Sequence, residues 1–463
     1  MPVSTFLGLQ TTLRGLLAQQ RALDVTSHNI ANANTEGYTR QEALMSASDA
    51  LQIGGGANLT DSTGSAALLG TGVDITQFRR LRDAFLDVQF RAQNTRLGDA
   101  NAQSTALDRV ELAFAEPSDN GISKQLAKFW SAWSDVANAP ESSATRQSLV
   151  EQAKTLTSSL NQLYSQMETV RRQSRDEFDS ITAAGTGEVA MAVDDIVRLT
   201  DTIQRQMAIG AQPNDLLDKR DALIDKLSGL AQVSVKPAGP AGGIEITFGD
   251  AALPVVTTDP ATGAPISNWP QAITSAAGGK LGQLLTLSDA GGTIDSFKSD
   301  LDKAALELRD AVNFLHNPPP GTGVNFFAGT GAADISVNAT AATVVTSFAT
   351  DKGANDVARA IAALRGAPSG RAGGPYPTTD QLYNQLVARV GGAVKGADRQ
   401  QSNAQALSDA VEERRGSMSG VSMDEEMTNI IRFQRAFQAS ARAMSTMDDV
   451  LDQIINRTGR VGL

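Results

Sequence analysis

Both ends of this chain carry the same alternation of three and four, and that alternation limits what the chain can fold into. Near the amino terminus, Phe6, Leu9, Leu13, Leu16, Gln20, Leu23, Ser27 and Ile30 follow it without a break. The spacing predicts one mostly apolar seam along a helix, interrupted by Gln20 and Ser27. A helix of about 28 residues would be roughly 42 Å long. Near the other end, Met423, Met427, Ile430, Gln434, Phe437, Ala441, Met444, Asp448, Leu451 and Ile455 repeat the spacing. Ser422 and Glu425 read as a Ser-x-x-Glu capping box. Asp424, Glu425 and Glu426 put negative charge on the positive end of that helix, and Arg457, Gly459, Arg460 and Gly462 read as its stop.

Neither helix can hide its seam alone. One solution pairs the two chain ends as a coiled coil; the other lays each helix on a globular core. Position favours pairing, because a chain whose long seams lie at its extremities is built to begin and finish in one place. Ala18, Ala22, Ala436, Ala439 and Ala443 would let such helices approach closely.

Composition narrows the class. The chain of 463 residues is 41% hydrophobic and 20% charged, with only 5% aromatic residues, which suits several domains of long, thinly packed helices. Its net charge of −11 argues against general binding to nucleic acid or an anionic membrane. There is no cysteine, so disulfides, thiolate catalysis and cysteine-built zinc sites are excluded. The start, Met1-Pro2-Val3-Ser4, has no basic region followed by an apolar run, and no stretch approaches the roughly 18 apolar residues of a membrane span. The expectation is a soluble chain that does not use the general secretory route.

The first seam ends in His28-Asn29-Ile30-Ala31-Asn32-Ala33-Asn34-Thr35-Glu36-Gly37-Tyr38-Thr39-Arg40-Gln41. Physically this is a helix terminus. Asn32 and Asn34 tolerate left-handed backbone, and Gly37 supplies positive φ. The segment resembles the N-terminal motif of the flagellar rod, hook and hook-associated proteins. Within that superfamily Gly37-Tyr38-Thr39-Arg40-Gln41 is similar to the hook-associated protein 1 family. So are Ser419-Gly420-Val421-Ser422-Met423-Asp424-Glu425-Glu426, the run Phe433 to Ala441, and the internal Asn214-Asp215-Leu216-Leu217-Asp218-Lys219-Arg220-Asp221.

The middle reads as Gly- and Ser-rich from 41 to 90, with a turn at Gly54-Gly55-Gly56 and a strand around Val73 to Phe78. Helical patterning follows from Asp83. Ile122, Leu126, Phe129, Trp130 and Trp133 share a face, and the longest helix, after Pro140, carries Leu149, Ala153, Leu156, Leu160, Leu163, Met167, Val170, Phe178 and Ile181. Residues 233–289 and the stretch opening at Asn325-Phe326-Phe327 look β-rich, and Gly366 to Pro377 reads as a linker.

The expected fold class is therefore mainly α: terminal helices forming a coiled coil, an elongated helical bundle and a small β-rich outer element. The expected division is 1–40 with 418–463 for terminal assembly, 41–232 with 290–318 and 353–417 for the helical domain, and 233–289 with 319–352 for the outer element.

No catalytic, cofactor or metal site is expected. His28 and His316 are the only histidines, no phosphate loop, zinc-protease or EF-hand motif is present, and the acidic clusters at Asp194-Asp195, Asp424 to Glu426 and Asp448-Asp449 read as solvated helix faces. Glycosylation-type tripeptides begin at Asn58, Asn338 and Asn456 and carry little weight.

The resemblance implies a structural subunit of the hook-filament junction, exported by the flagellar type III apparatus. It implies self-association at the hook tip, the hook protein and hook-associated protein 3 as neighbours, and an export chaperone on the C-terminal helix. The terminal seams are expected to be poorly ordered in the free subunit and to fold on assembly. The rival readings are another axial subunit, which a β-rich middle would favour, and a secreted enzyme or adhesin with flagellar ends, which a deep polar pocket in the β part would favour.

Overall fold

The computed structural model describes residues 6–53, 67–119, 121–318, 321, 323–368, 370–371, 374, 376–453 and 455. In chain order the elements are α1 (Leu7–Ala31), β1 (Gln41–Ala47), β2 (Leu51–Ile53), β3 (Ala67–Leu69), β4 (Val73–Arg80), α2 (Ala84–Phe114), α3 (Ile122–Asn138), α4 (Ser143–Thr182), α5 (Glu188–Ala208) and α6 (Asn214–Leu230). They continue with β5 (Val233–Pro237), β6 (Ile244–Phe248), β7 (Val256–Thr258), β8 (Pro265–Ser267), α7 (Gly279–Ser288), α8 (Thr293–His316), β9 (Phe327–Ala328), β10 (Ser336–Val337), α9 (Asp356–Ala363), α10 (Thr379–Ser419) and α11 (Met423–Asp452). The fold is mainly α, with small antiparallel sheets attached.

The helical body has two apolar cores. The larger gathers the faces of α2, α3, α4, α8, α9 and α10 with Phe326, Phe327, Ile335 and Val344. The predicted α4 seam, from Leu149 to Ile181, is buried throughout. At the centre Phe129, Trp133, Phe326 and Phe327 stack with centroids 4.8–6.5 Å apart, each contact adding on the order of 1 kcal/mol beyond its buried area. The second core joins α5, α6 and α7 to the sheet β5-β6-β7-β8, whose strand β6 buries Ile244, Ile246 and Phe248 in strict alternation. The two β-rich stretches that composition grouped together thus lie on different cores, because each spends its apolar face on the nearest helices.

The longest helix is α10 at 41 residues, one more than α4. It starts with a capping box in which Thr378 and Gln381 reciprocate. The box read at Ser422 does not form: Ser422 precedes α11 without a side-chain cap, and Glu425 turns to Arg40 instead. Helix α10 runs antiparallel to α2, held by Ser104 to Asp398 and Gln401 to Asn101.

Helices α1 and α11 pack against each other, antiparallel: Asn29 meets Glu426 at one end and Gly8 faces Met447 at the other. The most deeply buried residues of α1 are not those of the predicted Leu seam, whose Leu9, Leu16, Leu23 and Ile30 are partly covered. The buried residues of α1 are Ala18, Ala22, Thr26 and Asn29, and a Cβ built on Gly8 or Gly15 would lie 3.2 Å from Met447 Sδ or 3.5 Å from Ser440 Oγ. At Gly8 and Gly15 the missing side chains let α11 lie close to the α1 backbone. The hairpin β1–β4, with a register shift between Leu44 and Met45, packs on a further side of α1, and Arg14 reaches Asp74 at 3.6 Å. Residues 41–80 therefore accompany the terminal helices. The turn at Gly54 to Gly56, the tripeptides at Asn58 and Asn456 and the stop signals Arg457 to Gly462 lie outside the described residues.

Candidate functional site

Three of the segments that carried the resemblance, His28 to Gln41, Ser419 to Glu426 and Asn214 to Asp221, come together at the neck between the terminal helices and the body. Asn29, one turn from the end of α1 and 1% exposed, uses its whole amide there. Its Nδ2 donates to Gln41 O (2.9 Å) and Glu426 Oε2 (3.1 Å); its Oδ1 accepts from Gln41 N (3.0 Å) and Tyr38 OH (2.8 Å). Because the Tyr38 hydroxyl gives its proton to Asn29, His28 Nδ1, 3.0 Å away, carries the hydrogen of that pair. Burial, then the Asp215, Asp218 and Glu426 carboxylates, push the Tyr38 phenol well above its ordinary range, so it stays a donor.

Asn32 caps α1 and donates to His28 O, and Thr35 donates to Asn32 Oδ1. Asn34 is exposed. Gly37 has φ +75°, and a Cβ there would come within 3.2 Å of Ala222 on α6, so the position needs glycine both for its backbone and for its space. Arg40 then ties the exit loop to α11: its Nη1 lies 2.5 Å from Glu425 and its Nε 2.7 Å from the buried Glu426. Its backbone N–H donates to Ser419 O (2.8 Å) at the end of α10, just before Gly420 and Val421 lead into α11.

The internal motif closes the site from the body side. Asn214 donates to Phe78 O and Gln41 Oε1, and Gln41 donates to Asp215. Asp218 accepts from Thr39 N and Arg80. Beyond it lie Arg80, Arg82, Arg91 and Arg415 among Asp87, Asp221 and Asp225. Burial opposes the charge of Arg82, but Asp221, Asp87 and Asp225 outweigh it and raise its pKa. Sequence reasoning missed Glu426, Arg80 and the continuation to Asp225 as parts of one site. The available signal was the helical spacing of Asp215, Asp218, Asp221 and Asp225, which puts them on one side of α6.

The predicted seam residues are not brought together as one buried stripe. Leu9, Leu16, Leu23, Ile30, Ile430, Phe437 and Met444 are partly covered, and Leu451 is buried. Phe6, Leu13, Met423, Met427 and Ile455 stay exposed, together with Leu17, Ile431, Met447 and Val450. Among the described residues no group of three or more acidic or histidine side chains is placed to hold a metal, and no helix is long and apolar enough to cross a membrane.

Residues 107–327 match the helical domain of flagellar hook-associated protein FlgK, 9–39 the flagella basal body rod protein, and 416–457 the C-terminal part of the basal body rod FlgEFG proteins. Each match supplies one side of the neck. Flagellar hook-associated protein 1 of Bacillus subtilis is 29% identical over 98% of this chain and 99% of its own length. Along nearly its whole length the chain is similar to the flagellar hook-associated protein 1 family. Among its other relatives, the hook-associated protein 1 sequences of Salmonella typhimurium and Escherichia coli K12 are 28% and 26% identical over 66% of this chain, which spans 55% and 56% of their lengths. The flagellar hook junction protein of Burkholderia pseudomallei has a similar fold, with a TM-score of 0.56 at 14% identity over 72% of this chain and all of that one. These likenesses make the chain a structural component of the bacterial flagellum.

Proposed function

We propose that this chain forms the junction between hook and filament, and that it joins the structure through the apolar residues its own fold leaves uncovered. The observation that carries this reading is the division of labour on the terminal helices. Small residues pair α1 with α11 inside the subunit, while Phe6, Leu13, Met423, Met427 and Ile455 remain 43–66% exposed. Large apolar side chains in two long rows fit burial between subunits better than permanent contact with water. The name of the Burkholderia protein, a hook junction protein, supports the position.

On this reading the subunit self-associates at the hook tip and lies between the hook protein and hook-associated protein 3. It leaves the cell through the flagellar type III apparatus, with an export chaperone covering α11 beforehand. Three parts divide the work: the terminal helices assemble, the helical body spaces, and the β-bearing segments face outward. Catalysis has no place in it, in keeping with structural relatives.

Deleting the gene tests the position. Hooks without filaments, with flagellin released into the medium, are expected; normal filaments would sink the assignment. Removing residues 423–463 tests the means, and should abolish incorporation at the hook tip while the body still folds.

A further inference from the structure

Arg220 belongs to the internal motif yet turns away from the neck. It sits on α6 at 6% exposure, and its Nη1 donates to Gly242 O at 2.6 Å, in the turn between β5 and β6. The arginines around it, Arg80, Arg82, Arg91 and Arg415, all pair with carboxylates; among the described residues none lies within 4.0 Å of Arg220. Asp221 favours its charge, but that carboxylate is already shared by Arg80, Arg82 and Arg91. A guanidinium taken out of water is costly to hold without a counter-charge close by.

Three atoms beneath the same turn have no hydrogen-bond partner among the described residues: Arg220 Nε, Gln204 Nε2 and Thr200 Oγ1. Thr200, fully buried, and Gln204 stand one turn apart on α5, which packs along α6. The β5–β6 turn lies directly on this part of α5. A Cβ built on Gly243 would be 2.7 Å from Gln204 Nε2, and one on Gly242 would be 2.6 Å from Ile203 Cγ2. Arg220 reaches that same Gly242 from α6, so the orphan atoms approach one covered spot from two helices. Amide and guanidinium nitrogens only donate, and a hydroxyl can do so. A water there would still have two hydrogens of its own to place, whereas an anion accepts from all three groups.

We infer that Arg220, Gln204 and Thr200 form a buried site for a small monovalent anion of halide size, which pins the β5–β6 turn to the α5–α6 pair. The close fit of the turn limits the ligand to a single atom. The anion supplies the counter-charge that the carboxylates of α6, committed to other arginines, do not give Arg220. The inference concerns the helical body alone and stands whatever the position of the chain in the flagellum.

Thermal unfolding of the full chain tests it, with sodium gluconate replaced stepwise by sodium chloride or sodium bromide at constant ionic strength. The midpoint for the body should rise with either halide and level off. Arg220→Gln should lose this dependence, and Thr200→Val, which keeps the charge, should need several-fold more chloride to reach the plateau. A parent midpoint indifferent to the anion would overturn the site, since the orphan atoms would then hold water only. So would an unchanged halide dependence in Arg220→Gln, which would be a general salt effect. Should Arg220→Gln fail to fold, Thr200→Val decides: a plateau reached at the parent's chloride concentration would count against the site.

Discussion

At the residue scale the neck depends on a few buried polar side chains with no slack. Asn29 makes four hydrogen bonds to groups that are themselves covered. Asn29→Ala should therefore cost on the order of 3 kcal/mol in urea unfolding of the terminal module, and Asn29→Asp more, because it sets a carboxylate against Glu426. His316 plays a comparable part in the body. Packed against Trp133 and Phe326, it donates from Nδ1 to Val324 O at 2.9 Å and accepts the Val345 N–H at Nε2, at 3.0 Å. Burial holds its pKa below the ordinary 6.5, so the neutral ring belongs to the folded state. The unfolded chain then binds the proton more readily. Stability is fully present above pH 6.5 and falls as pH drops from 6.5 towards the lower folded value. Thermal unfolding between pH 7 and 5 should show that slope, and His316→Gln should flatten it. Glu168 works in a lower window. Hydrogen bonds from Arg171 and Lys298 hold it at about 2 against an ordinary 4.5, so its contribution is present above 4.5 and lost as pH falls to about 2.

At the element scale, periodicity located the helices but not always their faces. The α4 seam was legible because its only neighbours are core elements, so apolar spacing and burial coincide. On α1 they diverge: the helix has α11 on one side and the β1–β4 hairpin on another, and its leucines are shared between contact and solvent. Small residues carry no periodic apolar signal, so of the Gly8, Gly15, Ala18 and Ala22 face only Ala18 and Ala22 were visible, and only as permission for close approach. Ala22→Leu should separate the pair at a cost of about 1–3 kcal/mol, read as early melting of the terminal helices. The neck was legible as wording and not as contacts, since Asn29, Asp218 and Glu426 are far apart in sequence and nothing local says that they meet. Helix α10 holds a further prediction. Gly391, Gly392 and Gly396 have open space where a Cβ would stand. Each change to Ala should raise stability by about 1 kcal/mol in denaturant unfolding.

At the scale of the molecule, a helical body with two cores carries a terminal module held to it by charge and packed within itself by small residues. On the proposed reading, the exposed large apolar side chains of α1 and α11 are left for other subunits, which is the central claim. The most direct test replaces two of them that stay exposed on α1: Leu13→Ser with Leu17→Ser, both 43% exposed, expressed in a strain lacking the gene. The account predicts a purified protein with the parent's helicity and melting temperature that is exported but not retained, leaving hooks without filaments. Normal filaments and motility from that variant would contradict it.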